Sequence, residues 1–343
     1  MGRNNADKSL KQQVKEMLDS KLSIGESKYI AKRNGTYTEH IYSWETYRTY
    51  LKHACYFVRW CKEQPIEPSL GHKPRTVAEC RTFVEKWIQH GIDCELSAYT
   101  LKLELAALAK LYGCKSTDFN IKTPPRKRSN IKRSRGSVVR DKHFSVKENQ
   151  NMITFCQCTG LRRAELSQIR GTDLIVHEGK LCLDIRRGTK GGRLLISPVV
   201  GSDEEIELVK RLCADAGDQK IFPNPSSNAD IHSFRAEYAM RVYNLNKREY
   251  DAYRNERLII YQNTIYDSYI SINGKRDTER FSWMYINDVS GSEMLDGFED
   301  IPSAYICRGD KKGMVYDRKA LLEASKALGH NRFGIVPTNY LYK

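Results

Sequence analysis

The chain has 343 residues, 40% of them hydrophobic, and its 57 Lys and Arg outnumber 42 Asp and Glu, which gives a net charge of +15 at pH 7. This length suffices for two domains with sizeable cores, and the basic excess favours a polyanionic partner, either nucleic acid or an anionic membrane surface. No apolar run approaches the ~18 residues of a membrane span, and the N-terminal stretch lacks the apolar core of a signal peptide, so we expect a cytoplasmic protein.

The first third of the sequence predicts a small helical domain. Apolar residues recur there at steps of three and four, which is the pattern of helices with one buried face. Prolines interrupt the pattern after the second helix, and Gly113 follows the last one as a stop. The predicted helices cover residues 8–22, 41–61, 77–90 and 97–112. We assign 1–35 to a helical extension and 36–119 to the helical domain.

The composition changes in the next segment, 120–143, which we assign to a linker. Nine Lys or Arg accompany one Asp and two Pro over residues 120–142, so the segment cannot bury itself. A run of like charge is also suited to a DNA phosphate backbone. The linker side chains that we expect to contact DNA are Arg126, Lys127, Arg128, Lys132, Arg133 and Arg135.

A second domain is predicted from residue 144 to the last residue, 343. Ser145 with Glu148, and Ser202 with Glu205, have the spacing of capping boxes, and each pair predicts a helix start. Between the two, apolar and polar residues alternate over 180–199 and turn at Gly191 and Gly192, which predicts a β-hairpin.

The rest of the second domain predicts two helices separated by an irregular segment. "IHSFRAEYAMRVY", from residue 231, has helical character, and "DRKALLEASKALGH" predicts a helix with Asp317 as its N-cap. The intervening residues 245–310 are polar, Tyr-rich and poorly periodic.

The ten cysteines are scattered along the chain, mostly on apolar faces, where free Cys packs as a small hydrophobe. Cys156 and Cys158 form the one close pair, and neither a second pair nor a nearby His completes a set of zinc ligands. We therefore predict reduced thiols and no metal site.

Polar motifs recur in order through the second domain. "TGLRRAEL" at 159–166 opens the series, a Lys follows at the hairpin tip, and "HSFR", "LGH" and "TNYLY" come later. Taken singly, each has an ordinary structural reading, such as a solvated Lys or a packed Tyr. The candidate site residues in these motifs are Arg162, Lys190, His232, Arg235, His330 and Tyr340.

Taken together, the ordered motifs resemble the tyrosine recombinases of the phage-integrase family. The resemblance covers roughly residues 40–343. It implies a mainly α protein with a small β-hairpin or sheet, in which a helical core-binding domain and an α+β catalytic domain close as a C-shaped clamp around DNA. It also implies a site-specific recombinase or integrase of a mobile element, acting as a homotetramer on double-stranded DNA sites, with an accessory directionality factor as a possible further partner.

The resemblance also implies roles for the candidate residues. Tyr340 would attack a DNA phosphodiester and form a 3′-phosphotyrosine link. Two forked guanidiniums, Arg162 and Arg235, would clamp the non-bridging phosphate oxygens. Lys190 would give a proton to the leaving 5′ oxygen.

The remaining candidates have supporting roles. His232 would take the tyrosine proton or hold the phosphate, and His330 would donate a further hydrogen bond. Glu165 would brace the site, and Arg163 would face the DNA backbone or solvent. This set needs no cofactor and no bound metal.

Two features depart from the family pattern. Some seventy residues, about 243–312, are inserted between the second arginine and the "LGH" motif. The nucleophile usually follows that motif's histidine by nine residues, whereas Tyr340 follows His330 by ten and Tyr342 by twelve. We favour Tyr340, with Pro337 breaking the helix to absorb the offset, and keep Tyr342 open. Tyr316 precedes the motif and sits by a helix start, which disfavours it as the nucleophile.

Three other classes remain as alternatives. A type IB topoisomerase would use the same chemistry as a monomer. A catalytically decayed, purely DNA-binding relative would keep the basic linker without needing Tyr340. A membrane-surface protein would need a basic amphipathic helix, which residues 8–22 do not provide because their polar face carries both charges.

Overall fold

A computed structural model shows the chain as two compact units, residues 1–130 and 131–343. The structure describes residues 8–26, 28–127, 130–131, 143–189, 192, 194–261, 264–266, 269–270, 276–277, 298–330 and 332–341. Within these residues, no helix is both long and apolar enough to cross a bilayer.

The first unit is helical. Its helices are α1 (Leu10–Asp19), α2 (Lys28–Arg33), α3 (Trp44–Glu63), α4 (Val77–Cys80), α5 (Val84–Asp93) and α6 (Ala98–Tyr112). Serines at 9, 43 and 97 cap α1, α3 and α6 by accepting hydrogen bonds from backbone N–H groups of the first turn. The helix predicted over 77–90 is divided by a 3₁₀ turn at Arg81–Phe83 into α4 and α5.

One core holds this unit together. Leu10, Val14 and Leu18 of α1 are buried in the same cluster as Phe57 of α3 and Leu108 of α6. Helix α1 therefore shares the core of the longer helices, because its one apolar stripe needs a partner to leave water.

The second unit combines helices with small antiparallel sheets. Its helices are α7 (Gln150–Thr159), α8 (Arg163–Leu166), α9 (Asp203–Ala216), α10 (Ile231–Asn246), α11 (Tyr250–Tyr253), α12 (Arg318–Ala327) and α13 (Ile335–Asn339). Its strands are β1 (Leu174–His177), β2 (Lys180–Ile185), β3 (Leu195–Pro198), β4 (Arg257–Tyr261), β5 (Thr264–Tyr266), β6 (Tyr269–Ile270), β7 (Arg276–Asp277), β8 (Phe298–Pro302), β9 (Ala304–Ile306) and β10 (Val315–Asp317).

The predicted helix caps of this unit have different outcomes. Ser202 and Glu205 form a full capping box at α9, and Asp317 caps α12, so both predictions are confirmed. The predicted start at Ser145 is wrong. Ser145 Oγ does accept from Glu148 N at 3.4 Å, but the chain only turns there, and α7 begins at Gln150.

The predicted β-hairpin is confirmed, and it has a third strand. Strands β2 and β3 pair antiparallel, with Leu183 opposite Ser197, and β1 pairs along the other side of β2. Strand β1 was not predicted; its last two residues are exposed and its first two are half-buried. Leu183 and Ile185 of β2 are buried in the core beneath the sheet.

Helix α10 lies at the centre of the unit and packs against α7 and α12. Its Tyr238 is fully buried, donates a hydrogen bond to Pro198 O at 2.6 Å and lies 2.9 Å from Ser197 Oγ. Ser197 Oγ in turn donates to Ala327 O at 2.9 Å. These bonds connect β3, α10 and the end of α12, which are the elements around the candidate site.

The described residues between α10 and α12 include several short strands. Strand β4 pairs with β5 and β8, and β9 pairs with β10. The two ends of this segment meet at Asp317, which is fully buried. Its carboxylate accepts hydrogen bonds from Arg248 N at 3.2 Å and from Arg248 Nε at 2.7 Å. Arg248 also donates to Ser303 Oγ at 3.0 Å and Glu256 at 2.8 Å.

We predict that Gly160→Ala destabilises the second unit by about 2–5 kcal/mol. Gly160 ends α7 with φ +63°, and an added Cβ would overlap the ring of the buried Tyr238, so left-handed strain and overpacking add. Gly179→Ala is the matched control, since its φ is +72° with nothing within 4 Å of the new Cβ; it should cost only ~1–2 kcal/mol. Urea unfolding measures both, and equal losses would contradict the packing argument.

Candidate active site

The pair of arginines in "TGLRRAEL" lies where one helix ends and the next begins. After Gly160, Arg162 is extended (φ −76°, ψ 158°) and is the N-cap of α8. Glu165 at the third helical position accepts from Arg162 N at 2.7 Å and from Arg162 Nη1 at 2.6 Å. Since Glu165 is only 1% exposed, this charged bond fixes the direction of the Arg162 side chain.

A backbone carbonyl joins Arg162 to a second arginine. Leu328 O, at the end of α12, accepts from Arg162 Nη2 at 3.0 Å and from Arg235 Nη2 at 2.5 Å. The chain reverses immediately after it, because Gly329 is left-handed (φ +67°). The "LGH" motif thus turns one carbonyl toward the two guanidiniums and carries His330 onward.

Arg235 is the more deeply buried of the two arginines, with 3% exposure on α10. Its Nη1 donates to Gly160 O, and its Nε lies 3.4 Å from Tyr340 Oη. Burial lowers the pKa of the Arg235 guanidinium, and the nearby charge of Arg162 lowers this pKa further. A guanidinium stays protonated under such conditions, so the site holds a buried positive charge that an anion would stabilise.

Tyr340 directly follows α13 and is 5% exposed. Its hydroxyl lies 2.9 Å from His330 Nε2, and its ring centroid is 5.1 Å from that of His232. His330, from which we expected a further hydrogen bond, thus lies within hydrogen-bond distance of the tyrosine oxygen. The ring of His232 packs against the ring of Tyr340.

Four of the candidate residues line one cleft of about 410 Å³. Arg162, His232, Arg235 and Tyr340 all contribute to its wall. Two forked cationic groups and a phenol hydroxyl thus face the same space. Such an arrangement can bind a tetrahedral oxyanion and present a nucleophile to it.

Arg163 also lines the cleft, but its guanidinium is engaged with the protein. It donates to Ala229 O at 2.5 Å and to the carbonyls of Pro225 and Ser226. The arginine therefore braces the loop that leads into α10. Its expected DNA contact stays a prediction.

Several predicted residues lie outside the described part of the chain: Lys190 at the hairpin tip, Arg128, Lys132, Arg133 and Arg135 of the linker, and the alternative nucleophile Tyr342. Arg126 and Lys127 are described and exposed. Tyr316 lies on β10 and packs edge-on against Tyr243.

The extra residue between His330 and Tyr340 is not accommodated by a helix break at Pro337, as we had expected. Pro337 does not break the helix before the tyrosine. It occupies the third position of α13, in the first turn, where proline is tolerated. The helix continues to Asn339, and Tyr340 N donates to Val336 O at 2.9 Å.

The carbonyls of Gly160 and Leu328, which orient the arginines, were not predicted. Every residue carries a carbonyl, so its type gives no signal. The available signal was a glycine after each of two helices, Gly160 after α7 and Gly329 after α12. Such a glycine reverses the chain and exposes the last carbonyls of the helix.

Among the residues described, no group of three or more His, Cys, Asp or Glu could hold a metal ion. All ten cysteines are free. Burial raises the pKa of the Cys158 thiol to about 11 and that of Cys213 to about 12, so these two thiols are protonated at neutral pH.

Comparison with known proteins gives distant structural similarity alone. No family model matches the chain, and no curated protein matches it. The Tn1549 transposon integrase in complex with transposon right end DNA is 12% identical, with a TM-score of 0.36 over 70% of this chain and 88% of that one. The XerH site-specific recombinase bound to palindromic difH substrate is 14% identical, with a TM-score of 0.39 over 69% and 85%. XerA recombinase is 14% identical, with a TM-score of 0.22 over 68% and 85%.

We predict that Arg163→Ala destabilises the second unit by about 2–4 kcal/mol, because two or more charged hydrogen bonds to the 225–229 loop are lost. The exposed Arg211 on α9 is the control, and Arg211→Ala should stay within ~0.5 kcal/mol of the wild type. Urea unfolding of both variants gives the comparison. Equal stability of the two variants would show that the contacts of Arg163 add nothing.

Proposed function

We propose that this protein cleaves and rejoins DNA strands through a covalent bond between Tyr340 and a DNA 3′ phosphate. The observation that carries the proposal is the surroundings of the tyrosine oxygen. His330 Nε2 lies 2.9 Å from it and Arg235 Nε 3.4 Å from it. Arg235 and Tyr340 line the same cleft as Arg162.

The charge distribution suits a phosphodiester. The transition state of phosphoryl transfer carries negative charge on the non-bridging oxygens, and preorganised donors stabilise it without having to move. Arg162 and Arg235 are held in place by Leu328 O before any substrate binds. Arginine suits this task because its planar fork can donate two parallel hydrogen bonds.

The reaction balances without water as a reactant. Tyr340 Oη attacks phosphorus and forms the new P–O bond, and its proton passes to His330. The bond from phosphorus to the 5′ oxygen breaks, and Lys190, which falls between β2 and β3 in the sequence, supplies the proton that this oxygen takes. The reverse attack by a 5′ hydroxyl rejoins a strand and frees the tyrosine.

DNA as the substrate is supported by charge on the first unit as well. Helix α3 exposes Lys52, Tyr56 and Arg59, with Lys52 Nζ 5.7 Å and Arg59 Cζ 5.4 Å from the tyrosine ring centroid. Arg126 and Lys127 of the linker are exposed, and the chain has a net charge of +15. Basic side chains interleaved with an aromatic ring can bind a phosphate backbone.

We extend the proposal to site-specific recombination by a homotetramer, in the integration or excision of a mobile element. Two assays separate this reading from a topoisomerase. Strand exchange between two DNA sites requires several subunits, whereas relaxation of a supercoiled plasmid requires one. Exchange products from a pair of cognate sites support recombination, and relaxation alone supports the topoisomerase.

We predict that Tyr340→Phe abolishes the covalent adduct with a nicked suicide DNA substrate, since Phe keeps the ring and removes the attacking oxygen. Tyr342→Phe, the control, should form adduct within about threefold of the wild type. Denaturing gels detect the adduct. An adduct that persists in Tyr340→Phe and disappears in Tyr342→Phe would show that Tyr342 is the nucleophile.

A second prediction concerns metal ions. Because side chains supply both the positive charge and the proton transfers, adduct formation should continue at the same rate in EDTA. The check is a time course with EDTA and with added magnesium. Complete loss of adduct in EDTA, restored by magnesium, would contradict this mechanism.

A further inference from the structure

The inserted segment ends close to the residue that carries the proposed reaction. Strands β9 and β10 form a hairpin, and Lys311 lies in its turn. Lys311 Nζ donates to Pro337 O at 2.8 Å and also to Leu341 O. These two carbonyls lie on either side of Tyr340 in the chain, so one ammonium group holds the segment from which the tyrosine projects.

This segment depends on outside contacts for its position. Helix α13 has five residues, far fewer than the ~12 that an isolated helix needs to persist in water. The carbonyls at a helix C-terminus carry partial negative charge, and a cation placed there stabilises the last turn. The ammonium of Lys311 is such a cation, and it lies at the C-terminal end of α13, next to Tyr340.

The same hairpin contacts the start of the segment. Arg318 Cζ lies 5.2 Å from the ring centroid of Tyr305 in β9 and 4.6 Å from that of Phe333, just before α13. The rings of Tyr305 and Phe333 meet edge to face at 6.1 Å. The end of the insertion therefore packs against α13 at its beginning and hydrogen-bonds to it at its end.

We propose that Lys311 is a positioning residue for Tyr340, through which the end of the insertion sets the tyrosine oxygen within reach of His330 and the two arginines. The inference rests on the proposed function of Tyr340. Lys311 acts through the backbone, because its Nζ donates to two carbonyls of the segment. It is a residue of this chain's own insertion, and no motif in the sequence marked it.

The test compares Lys311→Met with Lys312→Met in the full chain. Both variants remove one positive charge at the hairpin turn, and Lys312 is exposed, so a change in overall attraction to DNA affects them equally. We expect the single-turnover rate of adduct formation at saturating DNA to fall at least tenfold in Lys311→Met, with DNA affinity within twofold of the wild type. Lys312→Met should match the wild type in both, and Lys311→Arg should restore most of the rate, since a guanidinium can also donate to two carbonyls.

Hydrogen exchange of the free protein separates this inference from the proposed function. The amides of Tyr340 and Leu341 both donate to Val336 O, and we expect them to exchange about tenfold faster in Lys311→Met than in Lys312→Met. Unchanged exchange, or equal cleavage rates in the two Met variants, would overturn the positioning role. Failure of the wild type to form adduct would refute the proposed function instead, while the exchange result would still decide whether Lys311 holds the segment.

Discussion

The second unit depends on one shared hydrogen-bond acceptor, the carbonyl of Leu328. Two guanidiniums from different helices donate to this oxygen, and it thereby fixes the spacing between Arg162 and Arg235. The left-handed Gly329 directs the chain away at once, so His330 leaves the same turn toward Tyr340. The side chains of Arg162, Arg235, His330 and Tyr340 are thus arranged around a backbone carbonyl. A side-chain substitution at residue 328 would leave that carbonyl in place.

Two guanidiniums brought together repel each other, and the fold compensates locally. Glu165 lies against Arg162, and Arg235 also donates to Gly160 O and to the tyrosine oxygen. Three arginines, Arg162, Arg163 and Arg235, line the cleft together with one carboxylate, Asp230, so an incoming anion meets an excess of positive charge. The bonds of Tyr238 and Ser197 beneath the cleft hold the helices at this spacing in the absence of ligand.

Signals confined to a few neighbouring residues predicted much of the fold. The caps at Ser202 and Asp317 and the β2–β3 hairpin followed from local rules, since periodicity and capping act within one or two turns. The same rule failed at Ser145, where a serine–glutamate spacing marks only a turn. The site was harder to predict, because nothing in the sequence indicates which histidine meets Tyr340, that Arg163 is directed at loop carbonyls, or that the insertion returns to the tyrosine segment. Those outcomes depend on contacts between residues far apart in the chain.

Asp317 also explains how a long segment can be accommodated between two parts of the candidate site. The carboxylate of Asp317, at the start of α12, accepts hydrogen bonds from Arg248, shortly after α10. This contact joins the two ends of the inserted segment, so the segment leaves and re-enters the domain at neighbouring points. The entropy of closing a loop grows with the logarithm of its length, and each doubling costs only ~0.6 kcal/mol. A lineage could therefore lengthen, shorten or replace the distal part of this loop at little thermodynamic penalty, provided that the carboxylate–guanidinium closure stays intact. For protein engineering, the same property makes the loop a suitable place to graft a reporter or a second binding module.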